Sequence, residues 1–253
     1  MNIEAAIETV WAGIERGLHH PPELTGRLSM DQAYRVQLAV LERFVRAGDR
    51  HAGWKVGLTA KAMQEQQRVH EPVFGFLLES GHRASGVAFA FDELIAPGFE
   101  NELCITMGET LTGPGVTIEG ARRAVGAVAP ALEIVERRGD FTADLCLALA
   151  DNAQQKAFVT GPSHPLGDLD LATVTVDVVV NGTHRDRARG AEVLGTPLAS
   201  IAWLANKLAE FGRALEAGAR VMSGSFTRQY PLARGDRVES RFDPLGSVRA
   251  DVT

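Results

Sequence analysis

The sequence predicts an α+β domain with a helical N-terminal part, and three observations carry that prediction. Helical and strand-like periodicities both occur, but not in the regular alternation of a βαβ array. No glycine-rich phosphate loop joins a strand to a helix. The last third reads as short β-branched runs separated by Gly and Pro turns. The division falls near residue 90: residues 1–90 form a helical part with the first strand, and residues 91–253 form a mixed-β part.

The elements follow in chain order. Ile3, Ala6, Ile7, Val10, Trp11 and Ile14 recur at helical spacing. His19, His20, Pro21 and Pro22 end that helix, and beside a Pro-Pro turn the two histidines read as solvent-facing. Ser29 begins a second helix as an N-cap with Gln32 three residues on. Ala33, Val36, Leu38, Val40, Leu41 and Phe44 are its core candidates, and Gly48 stops it. Gly53-Trp54-Lys55-Val56-Gly57-Leu58-Thr59 reads as a short strand whose glycines permit close backbone approach. Lys55 inside it is either a functional ammonium tuned by burial or a lysine that snorkels to solvent.

A helix is expected over 60–69, a turn into a strand over Glu71–Leu78, and a helix over 118–128. Leu145–Ala150 is apolar and runs into the polar turn Asp151-Asn152-Ala153. Val174–Val180 is β-rich and followed by Asn181-Gly182, a hairpin signal. Pro197–Phe211 is a helix closed by Gly212. Arg220–Thr227, Val238–Phe242 and Ser247–Val252 are strands.

The candidate chemistry centres on Pro97–Arg138. Glu100 and Glu102 lie two apart in a strand-like run, so they point to one face with Cα atoms about 6.5–7 Å apart. Glu133 stands between Leu132 and Ile134, where the pattern predicts burial, and a buried carboxylate needs a partner. A divalent cation held by all three would be that partner, and an all-oxygen set suits Mg²⁺ or Mn²⁺ over zinc. The alternative is a wet strand face for Glu100 and Glu102 and a salt bridge from Glu133 to a nearby arginine.

Composition narrows the function classes. The net charge of −6 with no basic tract argues against nucleic-acid binding. No apolar run is long enough to span a membrane, and no signal peptide is visible, so cytoplasmic location is the default expectation. Cys104 and Cys146 sit in apolar runs and read as buried free thiols.

Taken together, these blocks resemble the 2-keto-4-pentenoate hydratase / 4-oxalocrotonate decarboxylase family of the fumarylacetoacetate hydrolase-like superfamily. The resemblance rests on Gly53–Thr59, Glu71-Pro72-Val73-Phe74-Gly75, Glu100-Asn101-Glu102 and Pro130–Val135. It continues through Ala150–Ala153, Val193–Pro197, Trp203–Leu208, Gly224–Arg228 and Leu245–Val248, nearly the whole chain. It implies a mixed β-roll with flanking helices. It also implies Glu100, Glu102 and Glu133 as ligands of Mg²⁺ or Mn²⁺, and Lys55 as the active-site lysine. Leu58, Thr59, Val73, Asp151, Ser225 and Thr227 would line the substrate pocket.

The implied substrate is a small 2-hydroxy-dienoate or 2-oxo-enoate from aromatic meta-cleavage. The implied reaction is hydration, with decarboxylation of a 2-oxo-enedioate as the alternative. Homo-oligomers are implied too, as is association with a pathway partner enzyme; a catalytically silent partner subunit is a third reading. Val73 stands where hydratases carry Asp. Gly98 replaces a basic residue, Glu136 an Asp, and Gln154-Gln155 small residues.

Overall fold

The computed structural model describes residues 2–253. Six α-helices flank two sheets of nine and five strands. The helices are α1 (Ile3–Glu15), α2 (Met30–Arg46), α3 (Lys61–Gln67), α4 (Ile118–Ala124), α5 (Leu145–Ala150) and α6 (Pro197–Ala209). The larger sheet contains β1 (His51–Gly57), β2 (Val73–Leu78), β3 (His82–Ala84), β5 (Pro97–Met107), β6 (Val125–Glu136), β7 (Gln155–Thr160), β8 (His164–Pro165), β11 (Arg220–Met222) and β12 (Tyr230–Pro231). The smaller contains β4 (Val87–Phe89), β9 (Thr175–Val180), β10 (Thr183–Arg189), β13 (Arg237–Asp243) and β14 (Gly246–Val252).

The large sheet runs β2-β1-β11-β5-β6-β7-β3, with β12 beside β5 and β8 beside β6. The small one runs β10-β9-β13-β14-β4. Pairing is mixed: β1 with β11, β3 with β7 and β4 with β14 are parallel, and the other pairs are antiparallel. The small sheet packs on β6 and β7 through β13 and β14. This is the mixed β-roll with flanking helices that the sequence led us to expect.

Local chemistry explains the elements that frame the site. Ser29 Oγ accepts from the Gln32 N–H while the Ser29 N–H donates to Gln32 Oε1, a reciprocal capping box. The helix it starts packs against α1 and α5. Its buried Gln37 donates to the carbonyls of Phe74 and Leu149, tying α2 to β2 and α5. Tyr34 stacks on Phe74 with ring centroids 4.3 Å apart. Gly53 fulfils the expected close approach, because a Cβ there would lie 1.9 Å from the Arg220 carbonyl oxygen on β11. Asn181 and Gly182, both with positive φ, close the two-residue hairpin between β9 and β10.

Three expectations need correction. The helix over 118–128 stops at Ala124, because Val125–Ala129 pair with β5, and Gly126 lies against Gly108, where a Cβ would come within 3.1 Å of the Gly108 Cα. The strand expected over Arg220–Thr227 ends at Met222, because the ladder gives way at Gly224, whose φ is +105°. Cys104 is buried, and burial pushes its thiol up to about 12, but Cys146 is only partly covered. No described helix is long and apolar enough to cross a membrane.

Candidate metal centre and cavity

The site is built where β5 and β6 pair. Glu100 stands directly opposite Glu133, and Glu102 opposite Ala131, so strand alternation puts all three acids on one face. One carboxylate oxygen from each lies within 4.8 Å of the others. Lys55 reaches the same point from β1, held between Gly75 on β2 and Met222 on β11. Its Nζ is 3.3 Å from Glu133 Oε1, with both side chains buried. The snorkelling alternative for Lys55 and the arginine pairing for Glu133 are therefore both set aside.

The charges do not balance. Three carboxylates face one ammonium. Burial alone would lower the Lys55 pKa, but Glu133, Glu100 and Glu102 more than offset it, so the net shift is upward. Burial and the charge of Glu133 push Glu100 up to about 7, and burial with its acidic neighbours raises Glu102 well above the usual carboxylate range. The Gly224 N–H donates to Glu102 Oε2 at 2.8 Å. Glu102 Oε1 and Glu133 Oε2 have no hydrogen-bond partner among the described residues. Orphaned buried oxygens on a cluster with surplus negative charge are what a hard divalent cation would satisfy, so the donor set fits Mg²⁺ or Mn²⁺.

Through Glu100 and Lys55 the cluster opens into a cavity of about 850 Å³. Lys55, Glu100, Leu58, Thr59, Val73, Ser225 and Thr227, all singled out in the sequence, are on its wall. Gly224 lets the Ser225–Thr227 turn sit there, since a Cβ would lie 2.4 Å from Thr59 Cγ2. Asn101, between the two strand acids and on the opposite face, holds that turn. Its Nδ2 donates to Thr227 Oγ1 at 2.7 Å, its N–H to Ser225 Oγ at 3.3 Å, and its carbonyl accepts from the Phe226 N–H at 2.8 Å.

Asp151 is not on this wall. It lies on the other side of the sheet, in a second cavity of about 550 Å³. There its Oδ2 accepts from Arg138 Nε at 3.0 Å and lies 2.9 Å from His19 Nδ1. Glu136, one residue out of phase with Glu133, faces the same way and pairs with Arg138 at 3.4 Å. His19 is thus an inward partner of Asp151, not the solvent-facing histidine expected, and its side chain is 14% exposed.

Sequence reasoning passed over Arg137, Phe141 and Arg228 on the active-face cavity, and treated Gln154 only as a departure. Gln154 arrives there because Asn152, Ala153 and Gln154 are three successive left-handed residues. Asn152 pins that costly turn by bonding both the N–H and the carbonyl of Phe76. The Asp-Asn-Ala turn chemistry could have signalled it. Gly98 has a local reason as well: a Cβ there would lie 2.7 Å from Gln229 Nε2 and 2.9 Å from the Tyr230 carbonyl oxygen.

Fold and site together define a mixed β-roll protein with a buried cluster of three carboxylates beside a lysine, a donor set that fits a divalent cation. The chain belongs to the fumarylacetoacetate (FAA) hydrolase C-terminal family, whose profile matches residues 43–253. It is 36% identical over 236 residues to a 2-hydroxyhexa-2,4-dienoate hydratase of Comamonas testosteroni, covering 92% of this chain and 88% of that protein. It is also 36% identical over 231 residues to a 4-oxalocrotonate decarboxylase of Pseudomonas putida, covering 90% and 86%. The structure of 4-oxalocrotonate decarboxylase from Pseudomonas putida G7, complexed with magnesium and adipate, superposes with a TM-score of 0.94 at 32% identity, over 99% of this chain and 98% of that one.

Proposed function

We propose that the protein is a Mg²⁺- or Mn²⁺-dependent lyase that adds water to a 2-hydroxy-2,4-dienoate of aromatic meta-cleavage catabolism. The observation that carries this reading is the convergence of Glu100, Glu102, Glu133 and Lys55 at one end of the cavity. The three carboxylates would hold the ion. When bound, the ion supplies Lewis acidity to a 2-oxo acid chelated through its carboxylate and C2 oxygen. Lys55 Nζ, held protonated by its acidic neighbours, is placed to donate a hydrogen bond or a proton at the developing enolate oxygen. Leu58, Thr59 and Val73 shape the space for the carbon chain, and Ser225 and Thr227 complete its wall.

A second reading, decarboxylation of a 2-oxo-3-hexenedioate, draws on Val73. This buried apolar side chain lies where a water-directing acid would otherwise stand. Both reactions share the enolate that Lys55 would serve. A homo-oligomer is part of the proposal, on the resemblance of the chain to its family.

The deciding experiment is product analysis by NMR with Mg²⁺ and a panel of 2-hydroxy-dienoates and 2-oxo-enedioates. A 4-hydroxy-2-oxo acid supports the hydratase. Carbon dioxide with a 2-hydroxy-dienoate supports the decarboxylase and overturns the first reading. No turnover of any of them overturns both.

A further inference from the structure

The open edge of the large sheet carries a turn that brings one uncommitted side chain to the lysine end of the cavity. β2 is the last strand on its side, so its outer edge has no strand partner. Asn152 takes that place: its side-chain oxygen accepts from the Phe76 N–H at 2.7 Å, and its side-chain nitrogen donates to the Phe76 carbonyl at 3.0 Å. Val73 and Gly75 share one face of β2, and Lys55 lies directly across from Gly75. The missing side chain at Gly75 admits the turn, since a Cβ there would lie 2.9 Å from Asn152 Oδ1 and 3.3 Å from Lys55 Cγ. A Cβ on Gly57 would lie 3.3 Å from Val73 Cγ2 and 3.5 Å from Lys55 Nζ. Val73, Lys55 and the turn therefore crowd one corner of the cavity, and Ala153 and Gln154 join its wall.

Gln154 is held there at a conformational cost. Its φ is +66°, the third left-handed value in a row, and backbone strain of this kind persists where the surroundings fix it. The side chain is partly buried, and its amide bonds to nothing among the described residues. Three hydroxyls on the same wall are committed. Ser225 Oγ accepts from the Asn101 N–H, Thr227 Oγ1 accepts from Asn101 Nδ2 and donates to the Arg228 carbonyl, and Thr142 Oγ1 donates to Asp140. Val73 has no group that could hold water.

We propose that Gln154 positions the water that adds to the substrate. The inference rests on the hydratase reading. Hydration of a 2-hydroxy-2,4-dienoate balances in two steps. First, C5 takes up a proton as the 2-hydroxyl gives one up, leaving a 2-oxo-3-enoate. Water then adds across C3–C4: its oxygen bonds to C4, the C3–C4 electron pair takes a proton at C3, and one proton of the water is released in exchange. The first step asks only for proton exchange, which Lys55 can serve. The second needs a water held with a lone pair toward C4. A carboxamide oxygen accepts one O–H of that water and leaves the lone pair free. The amide is also uncharged, so it adds no fourth negative charge beside the three acids. Gln154 thus orients the nucleophile and takes no part in the proton transfer to C5.

The test follows 2-hydroxypenta-2,4-dienoate with the Mg²⁺-loaded protein by NMR in D₂O, with the rate without protein subtracted. Deuterium arriving at C5 reports the first step, and the C4 carbinol signal reports the second. In Gln154→Leu, addition of water is expected to fall about 10²-fold, the usual cost of a misplaced reactant, while C5 deuteration stays within about twofold and the 2-oxo-3-enoate accumulates. Leucine keeps the Cβ that glutamine already places at this left-handed position, and a thermal melt verifies the fold. Gln154→Glu, which still accepts a bond from water, is expected to recover part of the loss. Unchanged addition in Gln154→Leu, equal loss of both steps, or no gain from leucine to glutamate overturns this role and leaves the hydratase reading standing. Neither deuteration nor addition by the unaltered protein overturns the hydratase reading and the role of Gln154 with it.

Discussion

Lys55 Nζ stands 3.3 Å from Glu133 Oε1 in the middle of the sheet, and this pair is the only charge compensation that the three-acid cluster has from within the described chain. Removing it separates two roles. Lys55→Met leaves the acids unpaired, which costs about 3–5 kcal/mol when one partner of a buried pair is lost. A divalent ion would then recover more stability in the variant than in the parent. Differential scanning calorimetry with EDTA and with Mg²⁺ should show a larger metal-dependent rise in Tm for Lys55→Met. Turnover should drop by about 10²–10⁴-fold, the usual contribution of a positioned proton donor. Unchanged kcat with bound metal would remove Lys55 from the reaction.

Glu102 is one of the three acids we propose as ligands of the ion. One of its oxygens is satisfied by the Gly224 N–H and the other by nothing in the described chain. Glu102→Gln keeps an acceptor for Gly224 and removes the charge. The fold should survive, while Mn²⁺ affinity, read by electron paramagnetic resonance of free Mn²⁺, should weaken at least tenfold. Chelation of the parent protein should lower its Tm by an amount that grows with the logarithm of the metal concentration withdrawn. A Glu102→Gln protein with parental Mn²⁺ affinity would dismiss the ligand set.

Much of this centre was legible in the sequence because strand alternation is a local rule. Two acids at i and i+2 must share a face, and an acid inside an apolar run must find a partner. The cross-strand register that sets Glu100 opposite Glu133 is not local, and the resemblance to a family supplied it. Asp151 shows the limit of such reasoning. Its neighbour turn reaches the cavity through Gln154, but three left-handed residues in a row reverse the chain, and Asp151 itself ends on the far side of the sheet. His19 went astray for a related reason. Next to a Pro-Pro turn it looked exposed, but its partner lies 132 residues away.

Asp151 is therefore expected to behave as a structural acid. Arg138 is held by Asp151, Glu136 and the Gln155 carbonyl, and the side chains of all three charged residues are largely buried. Asp151→Ala should cost about 3 kcal/mol, the low end for a broken buried pair. Urea denaturation would report it, while KM for the dienoate stays within about twofold. A selective rise in KM at unchanged stability would return Asp151 to the substrate site.

His51 gives the fold an acid-sensitive component away from the cavity. Burial, and to a smaller extent the nearby Arg213, lowers its pKa from 6.5 to about 4, against the opposing hydrogen bond to the Gly53 carbonyl. The fold thus favours neutral His51. Its contribution is fully present above about pH 6.5 and is lost as pH falls toward 4, because the unfolded chain binds the proton first. His51 is more than a third exposed, so solvent screening holds the loss by pH 4.5 to about 1 kcal/mol or less. Urea midpoints of the parent and of His51→Gln, compared at pH 7 and pH 4.5, should converge by that amount at the lower pH. A constant gap between them would refute it.

Asn101 offers the finest test of how the sheet reaches the substrate. It lies between two acids that face the cavity, yet its own side chain points to the opposite face, where Oδ1 accepts from Ser240 Oγ at 2.5 Å and Nδ2 donates to Thr227. It couples the small sheet to the Ser225–Thr227 turn without touching the cavity. Asn101→Ala removes both bonds and leaves Ser240 and Thr227 short of a partner, at a cost of about 1–3 kcal/mol. The turn then loses its fixed place beside the carbon chain. KM should rise about five- to tenfold while kcat and Mn²⁺ affinity change little, since Glu100 and Glu102 are held by the β5–β6 ladder and not by Asn101. Asn101→Asp keeps the acceptor for Ser240 but not the donor for Thr227, and should fall between the two. A matched loss of Mn²⁺ affinity in Asn101→Ala would mean that the residue supports the whole strand and not the turn alone.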